Sequence, residues 1–412
     1  MDLTILIFLV VYLAMALGGL PGLKIDRTGA ALVGALAMLA AGKIAPKAAW
    51  DAIDYSSIGM LFGLMVVSAA FAESGFYGWT ARKVAAASVS PPTLLAILIA
   101  FGGVLAAFLT NDVVAVAMTP LLMSITLSRG LNPIPFLLGF CFAANAGASG
   151  TIIGSPQNMI AAQKLDLSFA AVSQITALPA LLSLPIIWVV VSWLYRGRWQ
   201  LGETSAAGNR PAADNLDNLP FSRIETAKAV VVTVAVVIAF IFSPWPRELI
   251  ALTAAGLLLL SRRISSSDML RQVDGDLLLL IMALFIVNAA MSATGLPQTL
   301  LAHFAQSGID LDKPFVLFLV SSVISNIVGN NPAVMMLVPY LHSEGDAQYG
   351  AALSLGTHFS SNLVVFGSLA GIIMVERAKD YGFTISFWEF TRSGAVVTLL
   401  TMVMAAAWLL FV

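Results

Sequence analysis

The sequence predicts an all-α polytopic membrane protein built from two inverted repeats. About 10 transmembrane helices, two re-entrant hairpins and two broken helices are expected. Three observations predict this: the composition, a set of sequence blocks that recurs in the same order on both sides of a polar middle, and the distribution of Lys and Arg.

Of 412 residues, 59% are hydrophobic and only 10% are charged, where a soluble domain carries about a quarter charged residues. Mean hydropathy is +0.92. Stretches such as 3–17, 230–242 and 395–412 are nearly free of charge, as segments in a bilayer must be. The net charge of −1 comes without any basic cluster interleaved with aromatics, which argues against nucleic acid as a partner. A single cysteine, Cys141, rules out an internal disulfide and a thiol metal cage. The three histidines form no HxxxH or HExxH pattern, and no metal or other cofactor is expected. The first segment starts at Asp2 without a basic flank or a clear cleavage site, so it reads as a retained helix.

Taken in order, hydropathy predicts spans at 3–18, 28–44 and 55–73. A long Pro-bounded segment, 92–128, is broken by TND. Next come 135–163, broken near 148–156, and 172–195. The polar stretch 196–225, containing GETSAAGNRPAADNLDN, is the one linker-like region and divides a first repeat, 1–195, from a second, 226–412. The second repeat predicts spans at 227–243, 247–262 and 275–293, a Pro-started segment 314–342 broken by GNNP, then 349–376, broken near 359–368, and 393–411.

The duplication is visible in three blocks. IDYSSIGMLFGLMVVSAAFAESGF (53–76) aligns with VDGDLLLLIMALFIVNAAMSATGL (273–296), pairing Asp54 with Asp274 and Gly75 with Gly295. TNDVVAVAMTP (110–120) aligns with GNNPAVMMLVP (329–339), and ASGTIIGSPQN (148–158) with SNLVVFGSLAG (361–371). If 92–128 and 314–342 enter and leave the membrane on one side, each half crosses five times and the halves have opposite orientation. All Lys and Arg except Lys43, Lys47, Lys164, Arg247 and Lys313, that is 16 of the 21, then share one face. The positive-inside rule makes that face cytoplasmic. Hairpins that spanned the membrane would scramble this asymmetry. The reading is a plasma-membrane protein of bacterial type with both termini outside and a cytoplasmic linker.

Inverted repeats with broken helices are the architecture of secondary transporters. Backbone that leaves the helix within a bilayer has unpaired N–H and C=O groups, tolerated only where protein or a wet cavity meets them. Candidate solute or ion ligands therefore sit at the four breaks. These are Thr110, Asn111 and Asp112 at the first tip and Asn330 and Asn331 at the second. Asn145, Ser149, Thr151, Ser155 and Asn158 belong to the first interrupted span, and His358, Ser361 and Asn362 to the second. Asp112 stands out, because an ionisable residue at membrane depth marks function by default, and a cap alone needs only Asn, Ser or Thr. Other polar residues have plainer readings. Ser68, Ser124 and Thr176 bond back to their own backbone, Asn288 and Asn326 serve as interhelical glue, and Asp54, Asp274 and Asp276 cap helices at the interface. No nucleophile–base constellation points to an enzyme.

LTNDVVAVAMTPL, NPIPFLLGFCFAANAGASGTIIGSPQNMI and SNIVGNNPAVMMLVP together resemble the ion transporter superfamily, most closely its branch of arsenite permeases, sodium/proton antiporters and anion permeases. The resemblance runs from about residue 28 to 400. It implies a scaffold domain, an elevator-like transport domain and one central site between the tips. It also implies a homodimer and, for arsenite permeases, a cytosolic ATPase subunit as a partner. Dicarboxylate carriers of the superfamily have Ser-Asn-Thr at both tips; here Thr110-Asn111-Asp112 and Gly329-Asn330-Asn331 stand instead. An ionised Asp112 would repel a dianion at close range. The expected function is thus proton-coupled efflux of arsenite or antimonite, with Asp112 carrying the proton. The alternatives are a sodium/proton antiporter and a sodium-coupled carboxylate or oxyanion permease.

Overall fold

The computed structural model describes residues 2–20, 22–201, 220–342 and 345–412. Most of the expected linker, 202–219, lies outside the described residues. Among the described residues there are twenty α-helices and no strand, only two isolated bridges, Gly19–Asp26 and Leu131–Gln200.

Ten helices precede the linker: α1 (Leu3–Leu17), α2 (Arg27–Ala40), α3 (Pro46–Ala52), α4 (Tyr55–Glu73), α5 (Phe76–Ala86), α6 (Pro91–Phe108), α7 (Asn111–Ser128), α8 (Ile134–Ala148), α9 (Pro156–Lys164) and α10 (Phe169–Leu194). Ten follow it: α11 (Arg223–Phe242), α12 (Arg247–Leu259), α13 (Ser266–Arg271), α14 (Gly275–Ser292), α15 (Leu296–Gln306), α16 (Pro314–Val328), α17 (Asn330–Leu337), α18 (Ala347–Ser360), α19 (Leu369–Asp380) and α20 (Phe387–Leu409).

Local chemistry sets these boundaries. Asp54 and Asp274 each accept a first-turn backbone N–H, from Ser57 and Leu277, so the aligned aspartates cap α4 and α14 as the sequence implies. Pro91 and Pro314 open α6 and α16 where a missing N–H costs nothing. Gly75 and Gly295 turn the chain into α5 and α15 with φ of 72° and 71°, a conformation that L side chains resist. The four short helices α3, α5, α13 and α15 are absent from the hydropathy reading. They are too short for a span, and α15 buries no residue at all.

Packing follows the same two-fold scheme. α6 packs on α8 as α16 does on α18; α4 on α12 as α14 on α2; and α1 on α2 as α11 on α12. α4 meets α14, and α8 meets α18, across the centre. One group of helices, α1–α4 with α11–α14, thus faces a second, α6–α10 with α16–α20.

Among the described residues seven helices are long and apolar enough to cross a bilayer: α4, α6, α7, α10, α11, α14 and α20; α1, α2, α8 and α16 are apolar but shorter. The difference from the expected ten has a physical reason. Five of the seven are expected spans, and α6 and α7 belong to the first hairpin. Of the other five expected spans, α1, α2 and α12 have 15, 14 and 13 residues, and two reach the needed length only as a pair, α8 with α9 and α18 with α19.

Candidate substrate-binding site

Each predicted break is a break in the structure. At the first tip Leu109 and Thr110 are extended between α6 and α7. At the second, Gly329 alone divides α16 from α17, with φ 92° and ψ 162°. The interrupted spans unwind at 149–155 and 361–368 and resume from extended Ser155 and Ser368. Both tips precede a helix, so their N–H groups turn positive potential inward.

A buried network joins the breaks. The Asn111 N–H donates to Gly154 O at 3.0 Å, and Asn111 Nδ2 lies 3.5 Å from Asn145 Oδ1. Asn145 Nδ2 in turn donates to Asn362 Oδ1 and to Ser368 Oγ, both at 3.0 Å. The first half thereby reaches into the second half's break. The reverse contact is His358, whose Nε2 lies 3.0 Å from Gln157 Nε2 and whose Nδ1 lies 2.8 Å from Ser354 O. Asn145, His358 and Asn362 are fully buried.

The other predicted residues divide by what they touch. Thr110 docks on α4 through Ser68, whose Oγ accepts from the Thr110 N–H at 3.2 Å. Ser68 therefore does not bond back to its own helix as expected. Asn158 Nδ2 closes the first break by donating to Ala148 O and Thr151 O at 3.0 and 2.9 Å, and the Thr151 hydroxyl ties that break to Ala107 O in the hairpin. Ser149 and Ser361 bond to their own helices, at Ala146 O and His358 O. Asn158, Thr151, Ser149 and Ser361 thus hold the breaks, and their side chains are engaged.

What is left unengaged is oxygen. Asn111 Oδ1, Ser155 Oγ, Asn330 Oδ1 and Asn331 Oδ1 are buried without a hydrogen-bond partner, as is Asn326 Oδ1 next to the second tip. An unpaired buried acceptor costs about 1–3 kcal/mol, so each of these oxygens, at or next to a break, favours a ligand that brings donors or positive charge. Asp112, at the first tip, lines a separate cavity of about 70 Å³ with Met65, Thr110, Val113, Val116, Ala117, Pro156, Gln272, Asp274, Leu277 and Ile373. The lining holds two carboxylates and no Lys or Arg. Among the described residues no cluster of three or more His, Cys, Asp or Glu could hold a metal ion.

The family model described as CitMHS, citrate transporter, matches residues 7–357. The chain belongs to this family. An uncharacterized transporter of Mycobacterium tuberculosis is 30% identical over 409 residues, 94% of each chain. A silicon efflux transporter of Oryza sativa subsp. japonica is 24% identical over 445 residues, 92% of this chain and 91% of that one. Among solved structures, that of Neisseria gonorrhoeae MtrF, described with a class of antimetabolite efflux pumps, aligns over 99% of this chain and 93% of that one with a TM-score of 0.58 at 13% identity. The last likeness concerns the fold alone. The protein is a multi-pass membrane transporter of the CitMHS family.

In this CitMHS transporter two features of the site escaped the sequence reading. Asp274 caps α14 as expected, yet it also lines the Asp112 cavity. Its pairing with Asp54 in the repeat was the available signal. Asn326 reads as glue in sequence, and indeed Asn326 Nδ2 donates to Ser322 O at 2.9 Å, but its oxygen is left over at the second break. Replacing Asn145 by Ala removes the hub between Asn111, Asn362 and Ser368. It is expected to cost about 1–3 kcal/mol for each partner left dry, seen as a lower unfolding temperature of the detergent-purified protein. An unchanged melting temperature would mean that the hub bears no load.

Proposed function

We propose that the chain is a proton-coupled exporter of a small uncharged hydroxylated inorganic solute, with arsenous acid (arsenite, and antimonite beside it) as the substrate, working by alternating access of an elevator-type transport domain. The observation that carries the reading is Asp112 at the first tip, in a small cavity with no Lys or Arg in its lining, together with unpaired buried oxygens at the breaks. A neutral trihydroxide offers O–H donors to oxygens of this kind, and leaves Asp112 free to take and release a proton. The cavity of about 70 Å³ is well below the roughly 300 Å³ at which drug-sized pockets begin, in keeping with a solute of a few heavy atoms. With one cysteine in the chain, recognition has to rest on hydrogen bonds, which release a solute readily. A whole-length relative named for silicon efflux supports export of a solute of this chemical kind.

The halves are read as inverted repeats, 1–195 and 226–412, with both termini outside, the linker cytoplasmic and the hairpins re-entrant from opposite sides of the plasma membrane. Their matching element order and packing support this. A homodimer and a cytosolic ATPase partner stay with the proposal as what the sequence resemblance implies.

A second reading, a sodium/proton antiporter, is favoured by one specific observation: Asp274 shares the cavity with Asp112, so two carboxylates face one space. Citrate, the substrate in the family's description, would meet both of these acids and no cation in the lining, and would need accompanying cations to enter. One screen separates the three. Expressed in a strain stripped of its own arsenite exporter, the chain should restore growth on arsenite and antimonite and not on citrate as carbon source. Sodium added to acidified everted vesicles should leave the pH gradient intact. Well-expressed protein that gives no arsenite resistance would overturn the first reading, and sodium-driven collapse of the gradient would establish the second.

A further inference from the structure

The two ends of the repeat are not in the same state. At the end of α9, Lys164 Nζ forms an ion pair with Asp54 Oδ2 at 3.0 Å, and Asp54 is largely buried. Next to it Arg247 Nη1 donates to Ala162 O at 3.3 Å, and Arg247 Nη2 stands 4.0 Å from Asp166. An ion pair and a hydrogen bond thus fasten α9 to the starts of α4 and α12.

The repeat has an equivalent for Asp54, Lys164 and Arg247. Aligning the first turns of α4 and α14 matches Asp54 with Asp274, and the same offset matches Arg247 with Arg27. Aligning the Gly-Ser breaks matches Lys164 with Arg377. This second set is not engaged. Among the described residues Arg377 pairs with Asp380 on its own helix, at 3.8 Å with 58% of its side chain exposed, and Arg27 donates to Met15 O. Asp274 has no ion-pair partner among the described residues and instead borders the Asp112 cavity. Helix packing agrees: α9 lies against α4, whereas α19 makes no comparable contact with α14. The positive-inside topology puts Asp54, Lys164 and Arg247 at the outer face and Asp274, Arg377 and Arg27 at the cytoplasmic face. The cavity, which runs from Thr110 to Gln272 and Asp274, then leads to the cytoplasm.

We propose that Asp54–Lys164 and Asp274–Arg377 are alternating latches of the transport cycle. The first seals the outer side while the second is open, as in this structure. In the outward-facing state Arg377 swings from Asp380 to Asp274, closing the cytoplasmic mouth over Asp112, while Lys164 leaves Asp54. Each latch is a single ion pair near the surface, strong enough to bias the two states by up to about fivefold and weak enough to be exchanged in each cycle. The proposal rests on the alternating-access reading above but not on the identity of the solute.

The test uses the full-length protein in native membranes with Cys141→Ala as background. Asp54→Cys with Lys164→Cys, and Asp274→Cys with Arg377→Cys, are each treated with a short thiol-reactive cross-linker. Both pairs should cross-link, each lock should stop arsenite transport, and a variant carrying all four changes should form one lock or the other but not both. A separate Val116→Cys reporter in the cavity should label faster from the cytoplasmic side by a few-fold when Arg377→Glu is added, and more slowly with Lys164→Glu. Arsenite transport that proceeds while the Asp274/Arg377 pair never cross-links would overturn the latch and leave the transport reading standing. Cross-linking of both pairs in a chain without arsenite resistance would keep the latch and remove the substrate.

Discussion

Asp112→Asn is expected to abolish proton-driven arsenite export while leaving the folded protein in the membrane. Asn keeps the size of the side chain, and Asp112 makes no capping hydrogen bond in α7 to be lost, so tip geometry, expression and melting temperature should be retained. What it loses is the one exchangeable proton among the tip residues. Asn331 already holds the matching place in the second tip, so the two tips of the variant would match, with a pair of amides in each and an acid in neither. Cells carrying it should accumulate arsenite at the level of cells without the transporter, a loss of tenfold or more in export, equivalent to about 1.4 kcal/mol or more of coupling. Export that continues at the original rate would remove Asp112 from the mechanism. Asp112→Glu keeps the proton but adds a methylene in a cavity of about 70 Å³, and should recover part of the activity.

Gly147→Ala is expected to give a large loss of stability from a single methyl group. Gly147 lies where α8 crosses the first hairpin, and a Cβ there would sit 2.1 Å from Gly103 O and 2.6 Å from Gly103 Cα. Those atoms are backbone and cannot swing aside, so α6 and α8 would have to separate. Overpacking of this kind costs about 1–3 kcal/mol where side chains can yield, and more is expected here. Close approach of small residues is also what holds helices together in lipid. The hairpin carries Asp112 at its tip, so transport should fall along with the melting temperature. Gly256, whose added Cβ would meet nothing within 4 Å, provides the control: Gly256→Ala should leave both unchanged.

Much of this fold is legible in the sequence because a bilayer leaves the backbone few options. The spans, the Pro-opened hairpins and the Gly-Ser breaks all follow from hydropathy and the backbone's need for partners. Asp54 and Asp274 are readable as caps because each begins an apolar run. What the sequence does not carry is the meeting of distant side chains. Asn145 with Ser368 and His358 with Gln157 join opposite halves, more than 200 residues apart, and no local pattern announces such pairs. Ser68 looks like any membrane-helix serine until Thr110 is placed against it. Asp274 looks like its repeat mate Asp54, yet one is paired with Lys164 and the other faces a cavity. That difference belongs to a conformational state and not to residue type. Short amphipathic connectors such as α5 and α15 escape a hydropathy window because they have neither the length nor the apolar content of a span.

The central claim, that one solute leaves in exchange for a proton taken through Asp112, is tested most directly in proteoliposomes loaded with a pH-sensitive dye. With purified wild-type protein and an arsenite gradient, but no pH gradient imposed, arsenite flux should drive protons the opposite way. The dye signal should scale with the arsenite moved and vanish in Asp112→Asn. Arsenite flux at full rate without any dye response, or a response that persists in Asp112→Asn, would contradict the account.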